Sequence, residues 1–286
     1  MSETKANADQ IEYWNEVSGP KWVNLQEDLD AQLGPLQDGL LKIANAQTGE
    51  VVIDIGCGCG ASTLALGEAV GADGNVTGLD ISAPMLRHAR VRAQSAGLDQ
   101  VSFVEGDAQV YDFKEGSVDL VTSRFGIMFF EDFSTAFKNF HRALKPGGRI
   151  AFMCWRAPQE NPWMTIPLAA ASEFIEMPPP PEDPQAPGPF ALADEGFVVP
   201  MMEGCGFNNV DMTRLDKKLR LGRGNEVDDA YEFNLKVGPL ASALADQTEE
   251  TVEKVKQAIF SELANHHGPD GVMLSFAPWL VTGDKM

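Results

Sequence analysis

The chain has 286 residues, enough for one large α/β domain or for a core with a cap, and 44% of them are hydrophobic, as in ordinary globular proteins. Its formal net charge of −20 opposes binding to phosphate-rich partners, so we expect neither nucleic acid nor an anionic membrane surface as a partner. The arginines Arg87, Arg90 and Arg92 share one predicted helix and are interpreted as a solvated face.

Hydropathy and cysteine usage indicate the compartment. No run of about 18 apolar residues is present, and residues 1–7 lack the apolar core of a signal peptide, so we expect no membrane span and a cytoplasmic protein. The four cysteines (Cys57, Cys59, Cys154 and Cys205) do not form a disulfide framework, which fits a reducing compartment. No histidine or second cysteine pair accompanies Cys57 and Cys59, so we expect no metal site.

The first part of the chain is predicted to be a helical cap. Residues 1–10 are expected to be disordered, and residues 21–46 carry leucines and an isoleucine every three or four positions, which predicts an amphipathic helical segment broken near Gly34 and Pro35. Three aromatic residues precede or begin this segment: Tyr13, Trp14 and Trp22. Two interpretations stay open for them, as plain anchors of the cap or as side chains packed near a ligand.

Residues 51–60 combine a strand with a glycine turn. Four apolar residues around Asp54 predict a buried parallel strand, and Gly56, Gly58 and Gly60 allow a sharp turn with close backbone approach to a ligand. The helix that follows offers free N–H groups at its N-terminus. A dinucleotide-binding turn has its third glycine one residue later, where this chain has Ala61, and does not require an acid before the first glycine.

Further βα units follow, and their strands end in polar residues. The second strand ends at Asp80, at the spacing of a ribose-binding acid, although Asp80 could instead cap the next helix. Asp107 follows the third strand and Ser123 ends the fourth. Five units over residues 47–155 predict a doubly wound sheet, whose ligand site lies at the carboxyl edge of the strands.

The pattern Asp54-x-Gly56-x-Gly58-x-Gly60 resembles motif I of class I S-adenosylmethionine (SAM) methyltransferases, in particular the ubiquinone/menaquinone-type and related small-molecule branch. The segment Leu-Lys-Pro-Gly-Gly-Arg at 144–149 is also frequent in that superfamily. The resemblance covers residues 47–155 well and 11–46 loosely. It implies an α/β, Rossmann-like, mostly parallel seven-stranded sheet with an N-terminal helical cap and helical insertions after strands 5 and 6. It also implies that Asp107 and Ala108 clamp the adenine ring.

The predicted organisation has four parts: a cap at 1–46, a SAM-binding core at 47–155, an acceptor-side insertion at 156–206, and C-terminal strands with an inserted helical pair at 207–286. A proline-rich polar linker is expected at 178–189. Residues 210–221 and 272–282 are predicted as the sixth and the last, antiparallel strand. Helices are predicted near 227–245 and 248–266.

The resemblance implies methyl transfer from SAM to a small, apolar or aromatic molecule by in-line displacement, helped mainly by positioning and desolvation. The candidate cofactor-binding residues are Asp54, Gly56, Cys57, Gly58, Gly60, Asp80, Ile81, Met85, Asp107, Ala108, Ser123, Arg124 and Trp22. The candidate acceptor-binding residues are Tyr13, Trp14, Phe125, Met128, Phe129, Trp155 and Trp163. No general base is assigned, since His88 and His141 fall on predicted helices away from the strand edge, and Glu131 and Asp132 can serve as helix caps.

Some alternatives stay open. Arg124 can pair with an acidic group of the acceptor or with the SAM carboxylate. Trp163, in a proline-flanked segment predicted as a loop outside the sheet, is hard to explain as core. The motifs also fit a SAM-binding or S-adenosylhomocysteine (SAH)-binding protein without activity and, less well, a nicotinamide oxidoreductase. The oligomeric state is open, with a homodimer as one option.

Overall fold

The computed structural model describes residues 6–177, 179, 181–237, 240–244 and 247–286. Four helical elements form the N-terminal cap: α1 (Ala8–Glu12), a π-helical turn (Tyr13–Val17), α2 (Ser18–Asn24) and α3 (Gln26–Ala44). The prediction of disorder over residues 1–10 is wrong for 6–10, because Asn7 is buried and hydrogen-bonded before α1 begins. Residues 1–5 of the segment predicted to be disordered lie outside the described residues.

Helix α3 continues through Pro35, so the predicted break near Gly34 and Pro35 is wrong. Pro35 removes one backbone donor, but the apolar face of the helix is fully engaged on both sides of it. Leu36 and Leu40 are 0% exposed, and Leu29 and Leu33 are also buried. Tertiary burial of this stripe therefore outweighs the local cost of proline.

The central sheet consists of β1 (Val51–Ile55), β2 (Asn75–Asp80), β3 (Val101–Glu105), β4 (Val118–Arg124), β5 (Leu144–Trp155), β6 (Asn208–Arg214) and β10 (Pro278–Asp284). Its order is β3-β2-β1-β4-β5-β10-β6. The first five strands pair in parallel, and β10 pairs antiparallel with both β5 and β6. This confirms the doubly wound, mostly parallel seven-stranded fold.

Helices α4 (Ala61–Val70), α5 (Ala83–Ala96) and α6 (Phe133–Ala143) connect the parallel strands, and a 3-10 turn spans Ile127–Phe129. The strand order reverses beside β1, which lies between β2 and β4. In such sheets the carboxyl ends of the strands at this reversal form the ligand crevice. In the part of the chain that the structure describes, no helix has both the length and the apolar composition needed to span a bilayer.

The insertion after β5 contains a 3-10 turn (Pro158–Glu160), α7 (Pro162–Ser172) and α8 (Glu195–Gly204). Between β6 and β10 the chain forms β7 (Lys217–Arg220), α9 (Val227–Val237), α10 (Leu240–Leu244), α11 (Glu249–Ala264), β8 (His267–Gly268) and β9 (Gly271–Phe276). Helical insertions after strands 5 and 6 are thus confirmed. Residues 178 and 180 of the predicted proline-rich linker, and residues 238, 239 and 245 of the predicted 227–245 helix, lie outside the described residues.

The single strands predicted at 210–221 and 272–282 are wrong in one respect, because each divides between two sheets. Strands β7, β9 and β8 form a separate three-stranded sheet. Ala277 separates β9 from β10, and its backbone N–H and C=O both bond the buried side chain of Asn161. Pro278 then begins β10 without a backbone donor. These two features end one ladder and start the next.

Candidate functional site

The glycine turn after β1 has the left-handed backbone that favours glycine. Gly56, Gly58 and Gly60 have φ values of 61°, 56° and 83°. A Cβ on Gly56 would lie 2.6 Å from the Cα of Gly126, so the turn packs directly on the loop that follows β4. A Cβ on Gly58 would lie 2.9 Å from the terminal methyl of Met85. Gly60 is the N-cap of α4 and leaves its first turn without a side-chain cap.

Asp54 is completely buried at the end of β1. Its Oδ2 accepts hydrogen bonds from the hydroxyls of Ser62 and Thr63, both at 2.7 Å, and so joins the strand to the first turn of α4. Its Oδ1 has no hydrogen-bond partner among the described residues. Burial raises the pKa of Asp54 to about 6, against the opposing effect of the two hydroxyls and of Arg124. A buried carboxylate oxygen in this state is suited to a cationic or donor group.

Asp80 connects the end of β2 to the glycine turn. Its Oδ2 accepts the N–H of Gly58 at 2.8 Å, and its Oδ1 accepts the N–H of Ser82 at 2.8 Å. Burial raises its pKa above the ordinary value. Ser82, not Asp80, is the N-cap of α5. Asp80 therefore orders the turn, and its remaining lone pairs are the ones available to a ligand.

Asp107 and Ala108 follow β3 in an arrangement that the sequence did not predict. The side-chain amide of Asn7 donates to Oδ1 and Oδ2 of Asp107 at 3.0 and 2.9 Å, and its Oδ1 accepts the N–H of Glu131 at 2.8 Å. The Ala108 N–H has no acceptor within the part of the chain that the structure describes. No motif includes Asn7, and it lies in a segment predicted to be disordered.

An ion network lies beside the turn, at the end of β4. Arg124 donates to Oε1 of Gln37 at 2.8 Å, and its Nη2 lies 3.8 Å from Oδ1 of Asp30, both residues being on α3. Arg92 bonds Oδ2 of Asp30 at 2.7 Å and the carbonyl of Cys59 at 2.8 Å. The interpretation of Arg92 as solvated surface is therefore wrong. Burial lowers the pKa of Arg124, and Asp30 and Asp54 oppose that change.

The cap is fixed on the junction between β2 and α5. The side chain of Asn15 donates to the carbonyl of Ile81 at 2.9 Å and accepts the N–H of Ala83 at 3.0 Å. The hydroxyl of Ser82 donates to the carbonyl of Trp14 at 2.8 Å. These bonds hold the cap aromatics at the edge where the strand-end acids lie.

Trp14 is the centre of a first aromatic cluster. Its ring makes edge contacts with Tyr13, Trp22 and Phe129, at centroid distances of 5.8, 5.6 and 5.5 Å. Phe129 comes from the loop after β4, so the cluster joins the cap to the core. Tyr13 is 48% exposed at the outer side of the cluster. These aromatic residues thus anchor the cap and also lie near the strand edge, so the contacts fit both interpretations left open by the sequence.

A second group, which we call the aromatic row, consists of Phe125, Trp155, Trp163 and Phe276. Phe125 stacks on Trp155 at 4.0 Å, Trp155 contacts Trp163 at 5.3 Å, and Trp163 stacks on Phe276 at 4.8 Å. Phe125 has a φ of 62°, a rare conformation for a bulky residue. Such backbone outliers concentrate at functional sites.

Trp163 lies in α7 and is buried, so the prediction of a loop residue outside the core is wrong. Pro162 occupies the first turn of that helix, where proline is favoured, which explains the misread signal. The indole Nε1–H of Trp163 is buried and has no acceptor among the residues that the structure describes. Stacking thus explains why the ring of Trp163 is buried, but it gives no partner to the Nε1–H.

Several other predicted residues have structural partners. The Ser123 hydroxyl donates to the carbonyl of Ile55 at 2.7 Å and joins β4 to β1. The Sδ of Met128 accepts the N–H of Trp155 at 3.4 Å. Asp132 caps α6 by accepting the N–H of Thr135. These contacts fix the strand edge.

Cys57 belongs to the turn and is buried as a free thiol. A cavity of about 570 Å³ between α3 and the second sheet is lined by none of the predicted site residues.

Comparison with known proteins gives a consistent result. A model of the ubiE/COQ5 methyltransferase family matches residues 36–173. A demethylmenaquinone methyltransferase of Staphylococcus epidermidis is 33% identical over 169 residues, which cover 59% of this chain and 67% of that enzyme. The corresponding enzyme of Oceanobacillus iheyensis is 39% identical over 110 residues, covering 38% of this chain and 46% of the enzyme. The matched stretches thus span about half to two thirds of these relatives.

Solved structures share the fold at low sequence identity. A phosphoethanolamine N-methyltransferase of Haemonchus contortus in complex with S-adenosyl-L-methionine has a TM-score of 0.59 and 17% identity, over 99% of this chain and 60% of that one. The YcgJ protein of Bacillus subtilis has a TM-score of 0.56 and 17% identity, over 87% of this chain and 97% of that one.

Proposed function

Because the chain belongs to the ubiE/COQ5 methyltransferase family, we propose that it transfers a methyl group from SAM to a small, apolar or aromatic molecule. The observation that carries this proposal is the meeting of Asp54, Asp80 and Asp107 at one sheet edge, around a glycine turn and an uncapped helix N-terminus. In the proposal the core spans 47–155, the cap 1–46 and the acceptor-side insertion 156–206, with 207–286 completing the sheet.

The residues present fit the cofactor. The unpartnered Oδ1 of Asp54 suits an ammonium group, and Asp80 suits ribose hydroxyls. Asp107 and the free N–H of Ala108 offer an acceptor and a donor for an adenine edge. Gly58 permits close backbone approach, with Met85 beside it. SAM, when bound, supplies an electrophilic methyl carbon.

In-line displacement requires little chemistry from the protein. The bond between sulfur and methyl breaks while the acceptor nucleophile forms its bond to that carbon, and sulfur keeps the electron pair, which leaves SAH. The chain's own residues align the two reactants and exclude water, and these effects supply most of the rate enhancement in such a step. His141 packs against Phe207 at the end of α6, so we assign it no role as a base.

The aromatic row supports an acceptor with a flat, apolar body. Phe125 and Trp155 extend it from the ends of β4 and β5, and the unpartnered Nε1–H of Trp163 could donate to an oxygen of the acceptor. Arg124 is held by Gln37 and Asp30 next to the turn, which favours the SAM carboxylate over the acceptor as its partner. The curated relatives are named for demethylmenaquinone, which is therefore the first acceptor to test.

Binding and transfer assays test the proposal. Calorimetry should show binding of SAM and SAH but not of NAD, and transfer of labelled methyl should be seen with small aromatic or quinone acceptors. Binding of NAD without SAH would point to an oxidoreductase. Binding of SAH with no transfer to small molecules, tRNA, DNA or protein would favour a non-catalytic binding protein.

Replacement of Trp163 by phenylalanine tests the acceptor side, since it keeps the stack and removes the N–H. The acceptor KM should rise while SAH affinity stays at the wild-type value. Trp279→Phe is the matched control, because the Trp279 indole donates to the carbonyl of Ala193 at 2.9 Å. An equal KM effect in both variants would argue against a direct contact between Trp163 and the acceptor.

A further inference from the structure

Asp30 on α3 has an unusual environment for a residue that belongs to no motif. Its Oδ2 forms an ion pair with Arg92 at 2.7 Å. Its Oδ1 is inaccessible to solvent and has no hydrogen-bond partner among the described residues, and the nearest cation, Nη2 of Arg124, is 3.8 Å away. An atom pair at that distance gains Coulomb attraction but does not satisfy the oxygen.

The same neighbourhood contains a second carboxylate oxygen in the same state, Oδ1 of Asp54. Arg124 interacts electrostatically with both acids. Buried polar atoms in folded proteins are nearly always paired, so these two unpaired oxygens call for a donor that the described residues do not provide. A cationic donor would satisfy them.

Two guanidinium groups supply the complementary half of this cluster. Arg92 reaches from Asp30 to the carbonyl of Cys59 inside the glycine turn, and Arg124 is held in place by Gln37. With two arginines and two acids, the cluster offers acceptors for a positive group and donors for a negative group side by side. This arrangement is complementary to an α-amino acid zwitterion, which carries an ammonium group next to a carboxylate.

We propose that Asp30 is a cofactor-binding residue contributed by the cap, which accepts a hydrogen bond from the ammonium of the cofactor's amino acid portion and positions Arg92 and Arg124 toward its carboxylate. This inference rests on the proposed function. It makes α3 a part of the cofactor site.

The test compares two ligands that differ only in that end. SAH carries the amino acid portion, and 5′-methylthioadenosine has the same nucleoside and thioether without it. The variant Asp30→Asn keeps the shape of the side chain and removes its charge. SAH affinity should fall roughly tenfold or more, as for a lost hydrogen bond to a charged group, while methylthioadenosine affinity should not change. Arg92→Gln should give the same selective loss.

Asp28→Asn is the matched control. Asp28 lies on the same helix with 30% of its side chain exposed, against 28% for Asp30, but pairs with Arg223 instead. It should leave both affinities unchanged. Wild-type SAH affinity in Asp30→Asn, or an equal loss for both ligands, would overturn the inference alone. Failure of the wild-type protein to bind either ligand would overturn the proposed function as well.

Discussion

The strand edge that carries Asp54, Asp80 and the glycine turn, called the cofactor edge after its proposed role, and the aromatic row are built in opposite ways. At the cofactor edge, short polar side chains at strand ends bond backbone groups and hydroxyls of the adjacent turns, as Asp80 does with Gly58 and Ser82. In the aromatic row, large rings from four separate segments contact one another, with two stacked pairs and one tilted pair. The first region is thus ordered by local hydrogen bonds and the second by distant packing.

This difference predicts separate sensitivities. Polar substitutions at the cofactor edge should change ligand affinity, because their partners are few and lie next to the proposed ligand. Substitutions behind the aromatic row should change stability, because the row depends on contacts between segments that are distant in sequence. Three variants test this separation, in order of decreasing expected effect.

Asn161→Ala should have the largest effect, on the unfolding free energy. The Asn161 side chain is 0% exposed and bonds the carbonyls of Arg156, Ala157 and Ala277 and the N–H of Ala277. Its loss leaves several buried groups unsatisfied, and we expect a cost of about 3–4 kcal/mol, measured by urea unfolding. SAH affinity of the folded variant should be unchanged.

The exposed Asn265, replaced by alanine, is the control and should unfold like the wild type. If Asn161→Ala weakens SAH binding as strongly as it lowers stability, the two regions are coupled and the comparison fails.

Asp54→Asn should change the unfolding free energy and the SAH affinity in opposite directions. The pKa of Asp54 is raised to about 6 in the folded protein, above its ordinary 3.8, so the folded state holds its proton more tightly than the unfolded state. Its contribution to stability is therefore complete below about pH 4 and is lost as the pH rises to about 6, by on the order of 3 kcal/mol. The variant should gain stability relative to wild type over that interval.

The same variant should bind SAH less tightly at pH 7.5, because the ionised oxygen proposed for the ammonium is gone. Thermal unfolding from pH 4 to 7.5 and calorimetry with SAH measure the two effects. Parallel stability curves for the two proteins would contradict the role of burial at this carboxylate.

Asp80→Ala should weaken SAH binding by about 2 kcal/mol, the range for a hydrogen bond to a charged group. The Gly58 N–H would also lose its acceptor, so the turn would be less ordered in the variant. Calorimetry measures the affinity, and Asp73→Ala, at an exposed turn, serves as the control. Unchanged SAH affinity in a folded Asp80→Ala protein would contradict the ribose assignment.

Local sequence predicted the first strand, the glycine turn and the start of α4, because these features are complete within a few residues. The strand, the glycines and the start of α4 are contiguous, and Asp54 bonds Ser62 and Thr63 only eight and nine positions away. The doubly wound, mostly parallel sheet followed from the alternation of strands and helices. The predicted element boundaries were less accurate at Pro162 and Pro278, because proline is typical of loops but also of the first residue of a helix or strand.

The residues missed at the site make contacts across long sequence separations. Asn7 bonds Asp107 across 100 positions, and Arg92 bonds Asp30 across 62. No spacing rule reports such pairs. One signal was present, since Asp30 and Gln37 are seven positions apart, two turns of helix, and share a polar strip beside the leucine stripe. The stacking of Trp163 on Phe276 had no local signal at all.

The position of β10 has a consequence for biosynthesis. This strand lies between β5 and β6, so β6 has no partner in the central sheet until residues 278–284 emerge from the ribosome. Until then the apolar segment of β5, including Phe152, Met153 and Cys154, has an unpaired edge, which is a recognised aggregation hazard. The nascent chain should therefore depend on chaperones late in translation, and slowing synthesis between residues 215 and 277 should lower the yield of folded protein.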